Sequence, residues 1–144
     1  MKKRTWIITD THLGHDAMVQ YCGRPENHSD LIIQNLFKVV KEGDVLIHLG
    51  DFCIGKDAEW HQRFFAGLSG IKTILVRGNH DGKSNAWYLE HGWGFVCENF
   101  TDTYFGKRIT FSHIPILGVQ NLNIHGHFHN TLHRLLRKEF VVDG

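Results

Sequence analysis

Short apolar runs rich in branched residues alternate along this chain with segments of helical period. Trp6 to Thr9, Val45 to Leu49 and Ile71 to Val76 each read as a strand that runs into a polar loop. Between the first two, Ser29-Asp30 is placed to cap a helix whose apolar positions Ile32, Ile33, Leu36, Phe37 and Val40 keep helical spacing and stop near Gly43. Ala58 to Ala66 predicts a second helix, with Trp60, Phe64 and Phe65 on one side, and Ser84 to His91 a third. Strands then take over: Gly94 to Cys97, Thr103 to Phe105, Arg108 to Ser112 and Leu122 to His125, the middle pair joined by a hairpin-type turn at Gly106-Lys107. Leu132 to Leu136 and Phe140 to Val142 fit a closing hairpin, although the first piece also suits a helical turn. This alternation predicts a layered α/β domain with helices covering a central sheet, and chemistry in the loops at the strand ends.

Length and composition narrow the picture. At 144 residues the chain is one ordinary domain, 1–144, able to bury well over half of its unfolded surface. No internal repeat or low-complexity tract divides it. A formal net charge of +1 gives no basic face of the kind that drives nonspecific nucleic-acid binding, so no stable nucleic-acid complex is expected. Bound metal ions would add positive charge that this count omits, which keeps a nucleotide or nucleic-acid fragment open as a substrate. Cys22, Cys53 and Cys97 lack paired spacing and read as free thiols. The basic start Met1 to Arg4 leads into an apolar stretch that ends at Asp10, short of a signal-peptide core, so the cytoplasm is the expected location. No apolar run approaches the roughly 18 to 20 residues of a membrane helix.

Histidine is the outlier, with 12 residues, most beside Asp, Asn or Gly in turn-like contexts. Asp10-Thr11-His12 follows the first predicted strand, where period-two alternation would point both side chains the same way. Gly50-Asp51 ends the second strand, its glycine allowing a sharp turn and its carboxylate placed to bridge two ions. Gly78-Asn79-His80-Asp81 sets an amide, an imidazole and a carboxylate just past the third. His113 stands alone, and Gly126-His127-Phe128-His129 would direct two imidazoles to one side of an extended backbone. Alone, each has an ordinary explanation: a helix cap, an Asx turn, exposed histidines on an edge strand. Five such motifs in one order are a stronger signal than any of them singly.

The ordered set D-x-H, G-D, G-N-H-D, a lone His and G-H-x-H resembles the calcineurin-like metallophosphoesterase family, with matches from Asp10 to His129. Asp10-Thr11-His12-Leu13-Gly14-His15, Arg24-Pro25 and His48-Leu49-Gly50-Asp51-Phe52 are similar to a compact bacterial or phage-type branch. The resemblance implies an α/β sandwich of two β-sheets flanked by α-helices, with a metal site at the strand ends. It implies that Asp10, His12, Asp51 and His129 hold a first divalent ion and Asp51, Asn79, His113 and His127 a second, Asp51 bridging. Mixed oxygen and imidazole ligation suits manganese first, with iron, zinc, nickel, cobalt or magnesium as alternatives. Two such ions clamp phosphate oxygens and generate a hydroxide nucleophile, so the implied activity is phosphoester hydrolysis, a phosphodiesterase before a phosphomonoesterase. His80 is left to protonate or stabilise the leaving oxygen, with Asp81 orienting its imidazole.

One departure is that His113-Ile114-Pro115 stands where many family members carry His-Gly-His. His15 or Arg24 is positioned to compensate, Arg24 because a guanidinium matches phosphate oxygens with two parallel bonds. His48 and His125 read as buried supports, while His28, His61, His91 and His133 read as solvated and without a role. Trp87, Trp93 and Phe140 are candidate exposed aromatics for an interface. A fold of this kind that has lost catalysis serves as a protein-docking scaffold, which is the competing class of function. Retention of all the motif residues favours the enzyme.

Overall fold

The computed structural model describes residues 3–118 and 122–129; the predicted elements beyond them, with His133 and Phe140, lie outside the described residues. The chain runs β1 (Thr5–Ile8), α1 (Ala17–Cys22), α2 (His28–Val39), β2 (Val45–His48), α3 (Asp57–Phe65), β3 (Lys72–Val76), α4 (Asn85–Glu90) and β4 (Phe95–Cys97). It continues with β5 (Asn99–Tyr104), β6 (Lys107–Ser112) and β7 (Leu122–His125). The first four strands form a parallel sheet in the order β1-β2-β3-β4, and the last three a second sheet in the order β5-β6-β7, antiparallel and then parallel. This is the α/β sandwich of two sheets with helices that the family resemblance implied, where the hydrophobic pattern alone predicted one central sheet.

Strand alternation sorts the apolar residues into two cores. Leu46 and Leu75 point toward the helices and pack with Leu36, Phe52, Phe64 and Trp93. Their neighbours Ile47, Leu49 and Val76 point the other way, onto Phe111, Phe100 and Ile124 of the second sheet. A parallel sheet covered on both faces needs apolar residues at successive positions, which is why Val45 to Leu49 is apolar at every position but His48. Ser84, the first residue of the predicted third helix, is the cap of α4, its hydroxyl accepting from the Trp87 N–H at 3.1 Å.

Several expectations shift. The helix predicted from Ser29-Asp30 begins at His28, and Ser29 instead accepts a hydrogen bond from the Gly14 N–H at 2.9 Å. The hairpin turn lies one residue earlier than predicted, at Phe105-Gly106, where φ is 53° and 73°. The six-residue α1 is too short to show a helical period. Trp93 is buried and Trp87 half-buried, so neither is an exposed interface aromatic. His28 and His61 are buried rather than solvated, and His91 stacks on Trp87 with ring centroids 3.7 Å apart. None of the three cysteines is in a disulfide. Among the described residues no helix is long and apolar enough to cross a membrane.

His61 sits among Phe52, Trp87, Tyr88 and Trp93, its Nδ1 donating to the Asp57 carbonyl at 2.7 Å and its Nε2 buried without a partner. Burial pulls its pKa down to about 4. Below about 6.5 the unfolded chain therefore takes up a proton that the folded chain refuses until about 4, so this contribution is full above pH 6.5 and is lost as pH falls toward 4. Replacing His61→Leu should reduce the loss of unfolding free energy between pH 6.5 and 4.5 by about 2 kcal/mol, read from urea titrations of metal-free protein. An unchanged pH slope would mean that His61 titrates normally.

Candidate metal centre

Parallel pairing of β1 with β2 carries on past the strand ends. The N–H groups of Asp10, His12 and Leu13 donate to the carbonyls of Gly50, Asp51 and Phe52 at 3.0, 3.0 and 2.9 Å. The Asp-Thr-His and Gly-Asp motifs therefore lie side by side. Asp81 brings in the third motif: its carboxylate accepts from the N–H groups of Gly78, Asp51 and Phe52 at 2.8, 2.8 and 3.0 Å. In turn the His80 N–H donates to Asp51 Oδ1 at 2.9 Å. From the second sheet, the Gly126 N–H donates to the His113 carbonyl at 3.0 Å and the His127 N–H to Asp10 Oδ2 at 2.9 Å.

These approaches leave no room for side chains at two glycines. A Cβ on Gly50, whose φ is 94°, would lie 2.5 Å from the Gly78 nitrogen and 2.8 Å from His113 Nδ1. A Cβ on Gly78 would overlap the Asp51 carboxylate.

Donor atoms converge in two groups that share Asp51. Asp10, His12, Asp51 and His129 form one; Asp51, His113 and His127 form the other, the donors of each lying within 4.8 Å of one another. In the first, His129 Nε2 lies 3.2 Å from both His12 Nε2 and Asp10 Oδ1, and His12 Nε2 lies 3.5 Å from Asp51 Oδ2. In the second, His113 Nε2 lies 3.3 Å from Asp51 Oδ2, 3.2 Å from His127 Nδ1 and 3.0 Å from Asn79 Oδ1. Asn79 thus joins the second group.

The backbone is bent to make this possible. Among the described residues seven non-glycines have positive φ, and five of them are Asp10, His12, Asp51, His127 and His129, at 45° to 75°. Such conformations cost on the order of 1 kcal/mol or more each and gather at functional sites. They also correct the local argument from the sequence: period-two alternation does not aim Asp10 with His12 or His127 with His129, because neither pair is in extended backbone. His127 and His129 turn to different donor groups.

Neighbouring side chains brace the centre. His48 is fully buried, 2.9 Å from the Thr11 hydroxyl, and its Nδ1 accepts from the Gly50 N–H at 3.1 Å. His113 Nδ1 donates to the Leu49 carbonyl at 2.7 Å, which turns an Nε2 lone pair toward the centre when the ring is neutral. The Thr9 hydroxyl donates to Asp10 Oδ2 at 2.6 Å, and Cys22 Sγ lies 3.6 Å from His129 Nδ1. Thr9 and Cys22 escaped the sequence reading because neither belongs to a recognisable spacing. Arg24 is half-buried, with its terminal nitrogens donating to the carbonyls of Thr11 and Asp10 at 2.7 and 2.6 Å. Its guanidinium holds the motif loop.

His80 and His15 stand at the mouth, their ring centroids each 5.4 Å from His12 and 6.5 Å from one another. Asp81, expected to orient the His80 imidazole, instead spends its carboxylate on the three backbone N–H groups.

The electrostatics follow from burial and bonding. Burial opposes ionisation of Asp10, yet the neighbouring His12 imidazole and the hydrogen bonds from the Thr9 hydroxyl and the His127 N–H hold its carboxyl well below the usual range. For Asp51 burial is again outweighed, here by His113 and the His80 N–H. Burial pushes Asp81 up against the pull of its N–H donors. His113 is disfavoured as a cation by burial, but its bond to Asp51 raises it above the ordinary value.

This donor set fits divalent cations. Metal–ligand bonds of about 2.0–2.2 Å put neighbouring donors roughly 3.0–3.5 Å apart, and the closest contacts within the groups, at 3.0 to 3.5 Å, fall there. Asp10 Oδ1 is buried with no hydrogen-bond donor aligned on it, as expected of an oxygen reserved for a cation.

Comparison with known proteins agrees. Residues 3–142 match the family model described as calcineurin-like phosphoesterase. An uncharacterised protein of Methanocaldococcus jannaschii is 27% identical over 133 residues, 88% of this chain and 70% of the relative. A crystal structure of a protein of unknown function from Aquifex aeolicus aligns with a TM-score of 0.65 and 30% identity over 77% of this chain and 60% of that one. The nuclease MPE of Pseudomonas putida aligns with a TM-score of 0.57 and 21% identity over 87% of this chain and 61% of that one, a likeness of fold. The chain thus spans about 60% of each of these two solved structures.

Gly78→Ala should destabilise the metal-free protein by about 1–3 kcal/mol, because its Cβ must displace the Asp51 carboxylate. Gly82→Ala, with nothing within 4 Å of the added Cβ, should lie within about 0.5 kcal/mol of the parent in the same denaturant titration. Equal effects at the two glycines would show that the close approach carries no energy.

Proposed function

Because this chain belongs to the calcineurin-like phosphoesterase family, we propose that it is a phosphodiesterase working with two divalent ions, manganese foremost. The observation that carries this reading is the single Asp51 carboxylate shared by two groups of converging oxygen and imidazole donors. Asp10, His12, Asp51 and His129 would hold one ion, and Asp51, Asn79, His113 and His127 the other. When bound, such ions neutralise phosphoryl charge and make water nucleophilic near neutral pH.

The chain's own groups then have distinct tasks. His80, exposed beside the first donor group, is placed to deliver a proton to the leaving oxygen. His15, on the same side, is placed to donate to a phosphoryl oxygen, and takes the part left open by Pro115, which stands where the family pattern has its second histidine. Asp81 keeps the Asp51 and His80 loops in register, and Arg24 fixes the carbonyls of Asp10 and Thr11. A guanidinium committed in this way is not free to meet the second negative charge of a monoester, which favours the singly charged diester. A phosphomonoesterase and a non-catalytic metal-binding scaffold are the competing readings.

Metal-stripped protein given manganese should hydrolyse bis(p-nitrophenyl) phosphate in preference to p-nitrophenyl phosphate. His80→Ala should lower kcat by roughly 10²–10⁴-fold with two manganese ions per chain retained by elemental analysis, whereas Asp51→Asn should lose both metal and turnover. Preference for the monoester would make the protein a phosphatase, and full metal loading without any turnover would make it a scaffold.

A further inference from the structure

Two cavities flank the donor groups and have no described wall residue in common. One, of about 410 Å³, has Asp10 and His129 of the first group in its wall. The other, of about 310 Å³, has Asn79 and His113 of the second. Ligand pockets begin at about 300 Å³, so each has room for a ring-sized substituent, and each borders a different one of the two donor groups.

Their walls differ in chemistry. In the larger, Phe128 and His125 meet edge to face with centroids 5.2 Å apart, an aromatic surface suited to a planar ring. In the smaller, Ile114 and Ile116 supply apolar contact and Asn99 an amide. Each wall contains one arginine, and both are engaged. Arg24 donates to two carbonyls, while Arg77 donates to the Asp81 carbonyl at 2.9 Å and pairs with Glu98 at 3.4 Å. The walls therefore favour uncharged ring-bearing groups over further phosphates.

We infer that the two cavities are subsites for the two ester substituents of a phosphodiester, an aromatic ring or nucleobase in the larger and a second ring-bearing group in the smaller. This rests on the hydrolase reading and narrows its substrate class, since a monoester has only one substituent to place.

Binding tests this apart from turnover. In manganese-loaded protein carrying His80→Ala to slow hydrolysis, calorimetric titration should show diphenyl phosphate binding at least tenfold more tightly than methyl phenyl phosphate. Adding Asn99→Trp, which fills the smaller cavity from β5, should abolish that advantage while leaving methyl phenyl phosphate within about twofold and manganese content unchanged. Adding His125→Ala, which removes part of the aromatic wall, should weaken both aryl ligands several-fold. Equal affinity for the two diesters, or an Asn99→Trp protein that weakens both alike, would overturn the subsites. If diphenyl phosphate shows the expected advantage but the unsubstituted protein never cleaves bis(p-nitrophenyl) phosphate, the hydrolase reading fails and the subsites stand.

Discussion

Asp81 buries its carboxylate against the N–H groups of Gly78, Asp51 and Phe52, and the centre depends on that grip. Two parallel strands, β2 and β3, deliver their loops to the same end of the sheet, but nothing in strand pairing holds the loops together beyond it. Asp81 does so, at the cost of keeping a carboxylate out of water. The three donors offset that cost, since each would otherwise be a buried N–H in want of a partner. With the loops fixed, Asp51 Oδ1 accepts from the His80 N–H, and Oδ2 is left facing His12 and His113.

The strain and the charge at the centre have a common explanation. Five of the converging residues sit in the left-handed backbone region, and two buried carboxylates stand close to four imidazoles. In the metal-free chain those imidazoles compensate the carboxylates in part, which is why Asp51 raises the pKa of His113. A cation does this better, because it takes lone pairs from all donors at once and displaces any proton on the ring nitrogens that bind it. The same residues that weaken the metal-free fold are the ones a metal would convert into stabilising contacts.

Family membership and geometry support one another without being the same evidence. The family match bears on the class of chemistry, phosphoester hydrolysis. The shared Asp51, the committed Arg24 and the paired cavities are properties of this chain. They are what point toward a diester with two sizeable substituents.

The fold was legible because its signals are local. Short apolar runs rich in branched residues at Val45 to Leu49 and Ile71 to Val76 marked the strands, helical spacing from Ile32 to Val40 marked α2, and the motifs lie at strand ends. The set of residues that meet at the centre was legible only through the order of those motifs. Local reasoning about how they meet went astray, because left-handed turns rather than strand alternation aim Asp10, His12, His127 and His129. The partners of Asp81 and Arg24, the burial of His28, His61 and Trp93, and the approach of Gly50 to Gly78 left no local trace either. They are contacts between segments far apart in the chain: His12 and His129 touch across 117 residues. The sequence by itself determined which elements form and which donors are available, since backbone preference and side-chain chemistry are properties of a residue and its neighbours. Tertiary structure alone decided which donors converge, which are spent on holding the loops and which cavities remain, because distance, burial and the loss of water exist only once the sheets have packed.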